Sequence, residues 1–75
     1  MSKAKSRLQN RVRELRFFAN EMTQAELAEK VGVTRQTIAA IEKNKYAPSL
    51  ETAFLIAEAF GKPIGDVFSF GPKEG

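Results

Sequence analysis

Two capped helical patterns meet at one glycine in TQAELAEKVGVTRQTIAAIE, residues 23–42, and no other feature limits the fold as strongly. Thr23 and Glu26 have capping-box spacing: the threonine hydroxyl serves a free backbone N–H, and the glutamate reaches back to the cap. Leu27, Ala28 and Val31 then share one face. Gly32 stops this helix, because a left-handed residue costs least at glycine. Thr34 caps a second helix running to about Glu42, with Ile38 and Ile41 inward. Asn44 is its expected stop, since Asn tolerates the left-handed conformation. Ala28 is small where two helices must cross closely, and Leu27, Val31, Val33, Ile38 and Ile41 pin the second helix across the first. This spacing predicts a helix-turn-helix at 23–42.

The flanking segments also read as helices. Leu8, Val12, Leu15 and Ala19 recur at spacings of three and four, which predicts a first helix from about Ser6 to Ala19. Phe18 flanks its inner face and Phe17 points nearly opposite. A fourth helix is capped by Ser49, has Glu51 in its first turn, turns Leu50, Ala53, Phe54, Ala57 and Phe60 inward, and ends at Gly61. A brief fifth begins at Pro63 and carries Ile64, Val67 and Phe68. No period-two alternation suggests a strand. The expected fold is all-α, with five helices. Seventy-five residues predict one domain, 1–75, with a helical bundle over 6–68 and frayed tails at 1–5 and 71–75. So short a chain buries only a thin core, which a partner subunit would supplement.

The outward face of the third helix carries the sharpest functional signal. Arg35 puts a cation at the positive end of the helix dipole, where an acid is favoured. At about 100° per residue, Gln36, Ala39, Ala40 and Lys43 point away from Ile38 and Ile41, and Arg35 and Thr37 flank them. Such a helix fits a DNA major groove with its first turn at the base edges. A guanidinium there can grip guanine O6 and N7, Gln36 can pair with adenine, and alanine permits close approach or contact with a thymine methyl. Breaking a local stability rule is characteristic of a functional site. Backbone anchoring is expected from Gln24 at the start of the second helix, and from Lys43, Asn44, Lys45 and Tyr46.

Charge and composition narrow the alternatives. The net charge is +3, but residues 1–16 carry Lys3, Lys5, Arg7, Arg11, Arg13 and Arg16 against Glu14 alone. That run is either a solvated terminus or an arm that meets phosphates. With no Cys and no His, a disulfide framework, a thiolate metal site and the commonest general base are all excluded. No cofactor or metal is expected. There is no glycine-rich phosphate loop and too little chain for a deep pocket, so an enzyme is the least favoured reading. The longest apolar runs are a few residues and no signal-peptide hydrophobic region follows the start, which predicts a cytoplasmic protein with no membrane span.

Residues 22–68, MTQAELAEKVGVTRQTIAAIEKNKYAPSLETAFLIAEAFGKPIGDVF, preceded by NRVRELR at 10–16, resemble the Xre/Cro-type helix-turn-helix regulators, the family of phage repressors. The likeness is greatest to small stand-alone prokaryotic members ending in a P-I-x-D-V-F helix. It implies a five-helix fold, double-stranded DNA as partner and usually a homodimer on a two-fold operator. It implies base contacts from Arg35, Gln36 and Ala40, with Thr37 nearer the phosphate backbone, a phosphate anchor at Gln24, and a pair between Arg16 and Glu42 tying the first helix to the third. Two departures stand out. The family often has Asn-Gly where this chain has Lys43-Asn44, and the link FFANEM is one residue longer than in many phage members.

Scattered apolar residues suggest where a second subunit would sit. Leu55 points away from the inner face of its helix, with Ala59 beside it. Leu55, Val67, Phe68 and Phe70 form the candidate dimer surface, which leaves the reading helices free. Three functions compete. The first is a DNA-binding transcriptional regulator, in particular a repressor. The second is an antitoxin that binds a protein partner and also represses its own operon. The third is an interaction scaffold without DNA binding, which Arg35, Gln36 and the basic loop argue against.

Overall fold

The computed structural model describes residues 7–71. Five helices follow in order: α1 Val12–Phe18, α2 Gln24–Val31, α3 Arg35–Glu42, α4 Leu50–Phe60 and α5 Ile64–Val67. Two short strands bracket them, β1 Leu8–Asn10 and β2 Phe68–Phe70. They pair antiparallel, with Leu8 opposite Phe70, Gln9 opposite Ser69 and Asn10 opposite Phe68.

The helical fold class is as the sequence implies, but the first helix is not. The expected helix from Ser6 is replaced by a strand, and α1 starts only at Val12. The Asn10 side chain decides this boundary. Its Oδ1 accepts the Val12 N–H at 3.0 Å, a local bond that competes with helical pairing. Arg11 N–H donates to Val67 O at 2.9 Å, so the backbone there is committed to the far end of the chain. Leu8 therefore packs as a half-buried strand residue rather than as part of a helical stripe. The ladder reaches Gly71, whose N–H donates to Arg7 O at 2.7 Å, one residue into the tail expected to fray. The rest of the expected tails, and Lys3 and Lys5, lie outside the described residues.

The central pair forms as its caps dictate. Both halves of the capping box are made: Glu26 N–H donates to Thr23 Oγ1 at 3.0 Å, and Thr23 N–H to Glu26 Oε1 at 2.8 Å. Gly32 adopts φ 86°, and Val33 N–H returns to Ala28 O at 3.0 Å. Thr34 caps α3 by accepting the Thr37 N–H at 3.1 Å. Asn44 stops it at φ 60°, and Lys45 N–H closes on Ala40 O at 2.9 Å. The link between α1 and α2 turns through two consecutive left-handed residues, Asn20 at φ 61° and Glu21 at φ 56°.

The core is one cluster drawn from four helices and α5: Val12 and Leu15, Leu27, Ala28 and Val31, Ile38 and Ile41, Ile56 and Ala57, and Val67. Here α4 corrects the sequence reading. Its buried residues are Ala53, Ile56 and Ala57, while Leu50 and Phe54 are exposed. Apolar residues surround most of LETAFLIAEAF, so periodicity alone does not choose between neighbouring faces. Packing chose the one centred on Ile56, which is 0% exposed. Ile56→Ala is expected to cost about 2–5 kcal/mol. Leu50→Ala, 71% exposed in the same helix, should stay within about 0.5 kcal/mol. Urea denaturation midpoints of the two variants check this phase.

Candidate nucleic-acid interface

The outer face of α3 forms where the apolar pins leave off. Arg35 and Gln36 are exposed in its first turn, Ala39 and Ala40 are half-buried in the next, and Lys43 is exposed at its end. The two alanines keep the middle of this face low, so a docking surface can come close to the helix axis. Thr37 is half-buried and its hydroxyl lies 2.9 Å from that of Thr34, so it also rigidifies the cap.

A polar network behind this face holds α3 to its neighbours. The Glu42 side chain is 6% exposed and that of Arg16 is 15% exposed. Arg16 grips it with two bonds, Nε to Oε2 at 2.6 Å and Nη2 to Oε1 at 3.1 Å. A third donor of Arg16, Nη1, reaches Met22 O at 2.8 Å in the α1–α2 link. Gln24 Nε2 donates to Glu42 Oε1 at 3.0 Å, and Gln24 Oε1 accepts from Arg35 Nη1 at 3.4 Å. The Arg16–Glu42 pair implied by the family resemblance is thus present. It continues through Gln24 to Arg35, the first residue of the candidate reading helix.

The loop after α3 divides its expected roles. Lys43, Lys45 and Tyr46 are exposed. Asn44 is exposed too, but its amide is engaged: its Oδ1 accepts from Asn10 Nδ2 at 3.0 Å. The same Asn10 nitrogen donates to Ile41 O at 2.9 Å, covering a carbonyl at the end of α3. Asn10 is the structural residue that the sequence reading missed. The available signal was an Asn inside an apparent helix, two residues before the first buried valine.

The basic N-terminal run is also divided. Arg7 donates to Gly71 O at 3.3 Å and lies 5.1 Å from the centre of the Phe70 ring. Arg11 is paired with Glu14 at 3.1 Å on the surface. Its hydrogen bonds and its charge hold the Glu14 carboxyl below the usual carboxylate range. Arg16 belongs to Glu42. Arg13 alone of the described arginines in this run makes no hydrogen bond or ion pair.

The candidate dimer surface needs correction. Val67 is 1% exposed in the subunit's own core, so no partner can reach it. Phe68 is half-buried and packs against the same core. Leu55 and Phe70 are exposed as expected, and Leu50 and Phe54 join them on the surface. Phe17 and Phe18 form a second exposed apolar feature, edge to face with ring centres 5.5 Å apart. Among the described residues no helix is long and apolar enough to cross a membrane, and no three acidic, His or Cys side chains converge as a metal site.

Comparison with known proteins rests on these same elements. A family model described as helix-turn-helix matches residues 12–67, the span from the start of α1 to the end of α5. The chain belongs to the Xre/Cro-type helix-turn-helix family. An uncharacterized HTH-type transcriptional regulator of Methanocaldococcus jannaschii is 49% identical over 67 residues, covering 89% of this chain and 100% of that protein. A cryptic phage CTXphi transcriptional repressor of Vibrio cholerae is 35% identical over 60 residues, which are 80% of this chain and 53% of the repressor. A crystal structure of a candidate DNA-binding protein from Bacteroides fragilis superposes with a TM-score of 0.72 at 26% identity, covering 83% of this chain and 98% of that one. This Xre-type chain is therefore a transcriptional regulator with a DNA-binding helix-turn-helix domain.

Removing one partner of the half-buried pair strands a charge among three helices. Arg16→Ala should cost about 3 kcal/mol, because Glu42 loses its compensation and Met22 O loses a donor. Replacing both residues with apolar side chains of similar volume should cost less than the single change. Chemical denaturation of the two variants tests the comparison.

Proposed function

We propose that this protein is a homodimeric repressor that reads its operator with α3 in the major groove. The observation that carries this reading is the bond that Arg35 donates to the Gln24 amide oxygen. It seats a guanidinium at the start of α3 against an amide already fixed by buried Glu42. A reading side chain held this way loses little freedom on binding. Arg35 reads a guanine through O6 and N7, and Gln36 reads an adjacent adenine. Ala39 and Ala40 admit the base edges and meet a thymine methyl. Gln24, Thr37, Lys43, Lys45 and Tyr46 grip the backbone. Asn44, with its amide oxygen bonded to Asn10, shapes the loop that presents the two lysines. Repressor function is supported by relatives named as repressors in a cryptic phage of Vibrio cholerae and in Bacillus phage phi105.

The second subunit packs on the exposed Leu55 and Phe70 side of the molecule, with Phe68 at its margin. Two reading helices related by a two-fold axis would then address half-sites about 34 Å apart.

Arg35→Ala should weaken operator binding by about 1–3 kcal/mol and relax preference at one base pair. Lys45→Ala should weaken binding to all DNA alike and flatten its salt dependence. Titrating the gene's own upstream region and a scrambled duplex of equal length separates the two. An Arg35→Ala variant with unchanged sequence preference would remove Arg35 from the reading role. Sedimentation equilibrium should show a dimer without DNA, and Leu55→Glu should shift it towards monomer. A wild-type monomer at high concentration would end the dimer reading.

A further inference from the structure

The cleft between α1 and the end of α3 combines exposed charge with an open floor. It is lined by Arg13 and Arg16 of α1, Gln24 of α2, and Ala39, Glu42 and Lys43, and has a volume near 300 Å³. Its charges do not cancel. Arg16 is bound to Glu42 by two hydrogen bonds, which leaves Arg13 of α1 and Lys43 at the end of α3, both lining the cleft, uncompensated. No carboxylate of the described residues forms an ion pair with either cation.

Arg13 also violates a local preference. It is the second residue of α1, at the positive end of the helix dipole, where an acidic side chain is stabilising and an unpaired cation is not. Its position gives no packing in return, since it is exposed. The same kind of violation marks Arg35 at the start of α3. Ala39 links the two places. It lies on the outward face of α3, between Gln36 and Lys43, and it forms part of the cleft floor. Whatever lies along that face passes the mouth of the cleft.

We propose that Arg13 and Lys43 together clamp a single backbone phosphodiester of the bound DNA, with the Gln24 amide at the rim of the same seat. The inference rests on the DNA-binding reading above and adds a contact from α1, outside the helix-turn-helix. Glu42 does not repel the phosphate, because Arg16 holds its charge. Ala39 leaves room for the sugar-phosphate chain to come within hydrogen-bonding reach. The two cations approach from different helices, so the clamp fixes the angle at which α3 enters the groove and carries no base preference of its own.

The test uses the full chain and its Arg13→Gln, Lys43→Gln and doubly substituted forms. Each is titrated by fluorescence anisotropy against the upstream duplex and the scrambled duplex, over a range of salt. A shared phosphate predicts non-additive losses. The double variant should lose about 0.9 from the salt slope, the value for one phosphate, and bind roughly eightfold more weakly at 0.1 M salt. Each single variant should lose part of that. The ratio of upstream to scrambled affinity should stay at the wild-type value, and so should the thermal midpoint. A wild-type slope and affinity for Arg13→Gln would overturn the proposal while leaving DNA binding intact. A slope loss of about 1.8 in the double variant would also overturn it, by showing two separate phosphates. Wild-type protein without salt-dependent binding to either duplex would remove the DNA-binding reading and this clamp together.

Discussion

The Arg16 guanidinium holds the Glu42 carboxylate at the one point where α1, α2 and α3 converge. Every polar group there has a partner from a different element: Arg16 from α1, Glu42 from α3, Gln24 from α2 and the Met22 carbonyl from the link. A pair this shielded costs much of its attraction in lost hydration, so its net contribution to stability is modest. Its geometric consequence is larger. Planar bidentate bonding tolerates little rotation, which fixes the end of α3 against α1. Gln24, held by the same carboxylate, then fixes the beginning of α3 through Arg35. Both ends of the candidate reading helix are set by one buried acid.

The two-stranded ladder solves a different problem. A chain of this length has little apolar surface to bury, and its ends are the natural place for fraying. Pairing Leu8–Asn10 with Phe68–Phe70 joins the two segments next to Val12 and Val67, both of which are buried. Asn10 couples this closure to the functional side of the molecule. One amide accepts the Val12 N–H at the start of α1, covers the Ile41 carbonyl and steadies the Asn44 turn. Closing the chain and shaping the loop after α3 are therefore the same event.

The charge pattern has a comparable economy. Of the described basic residues in the N-terminal run, Arg7, Arg11 and Arg16 serve internal or local contacts. A count of cations in the sequence overstates what that segment can offer to DNA. The other exposed cations among the described residues are Arg13, Lys30, Arg35, Lys43, Lys45 and Lys62, and four of these, Arg13, Arg35, Lys43 and Lys45, lie on or beside α3 and its cleft. Net charge of +3 says little about recognition, which depends on where the unpaired charges lie.

Local chemistry determined the helix-turn-helix directly. Thr23 with Glu26, Gly32, Thr34 and Asn44 each dictate a cap or a stop through bonds that span five residues or fewer, so neighbouring residues suffice to read them. The outward position of Arg35, Gln36, Ala39 and Ala40 followed from helical periodicity for the same reason. The Arg16–Glu42 pair was legible through family resemblance, since nothing local joins residues so far apart. The tertiary structure decided what depends on distant partners. The β1–β2 ladder exists because the two ends meet, and three residues of alternation are too few to announce it. The phase of α4 was set by which apolar face met the core, a choice left open by a helix apolar almost all round. Burial of Val67 and the division of the arginines were decided in the same way: a residue's pattern states what it can contact, and only the packed fold states which contact it makes.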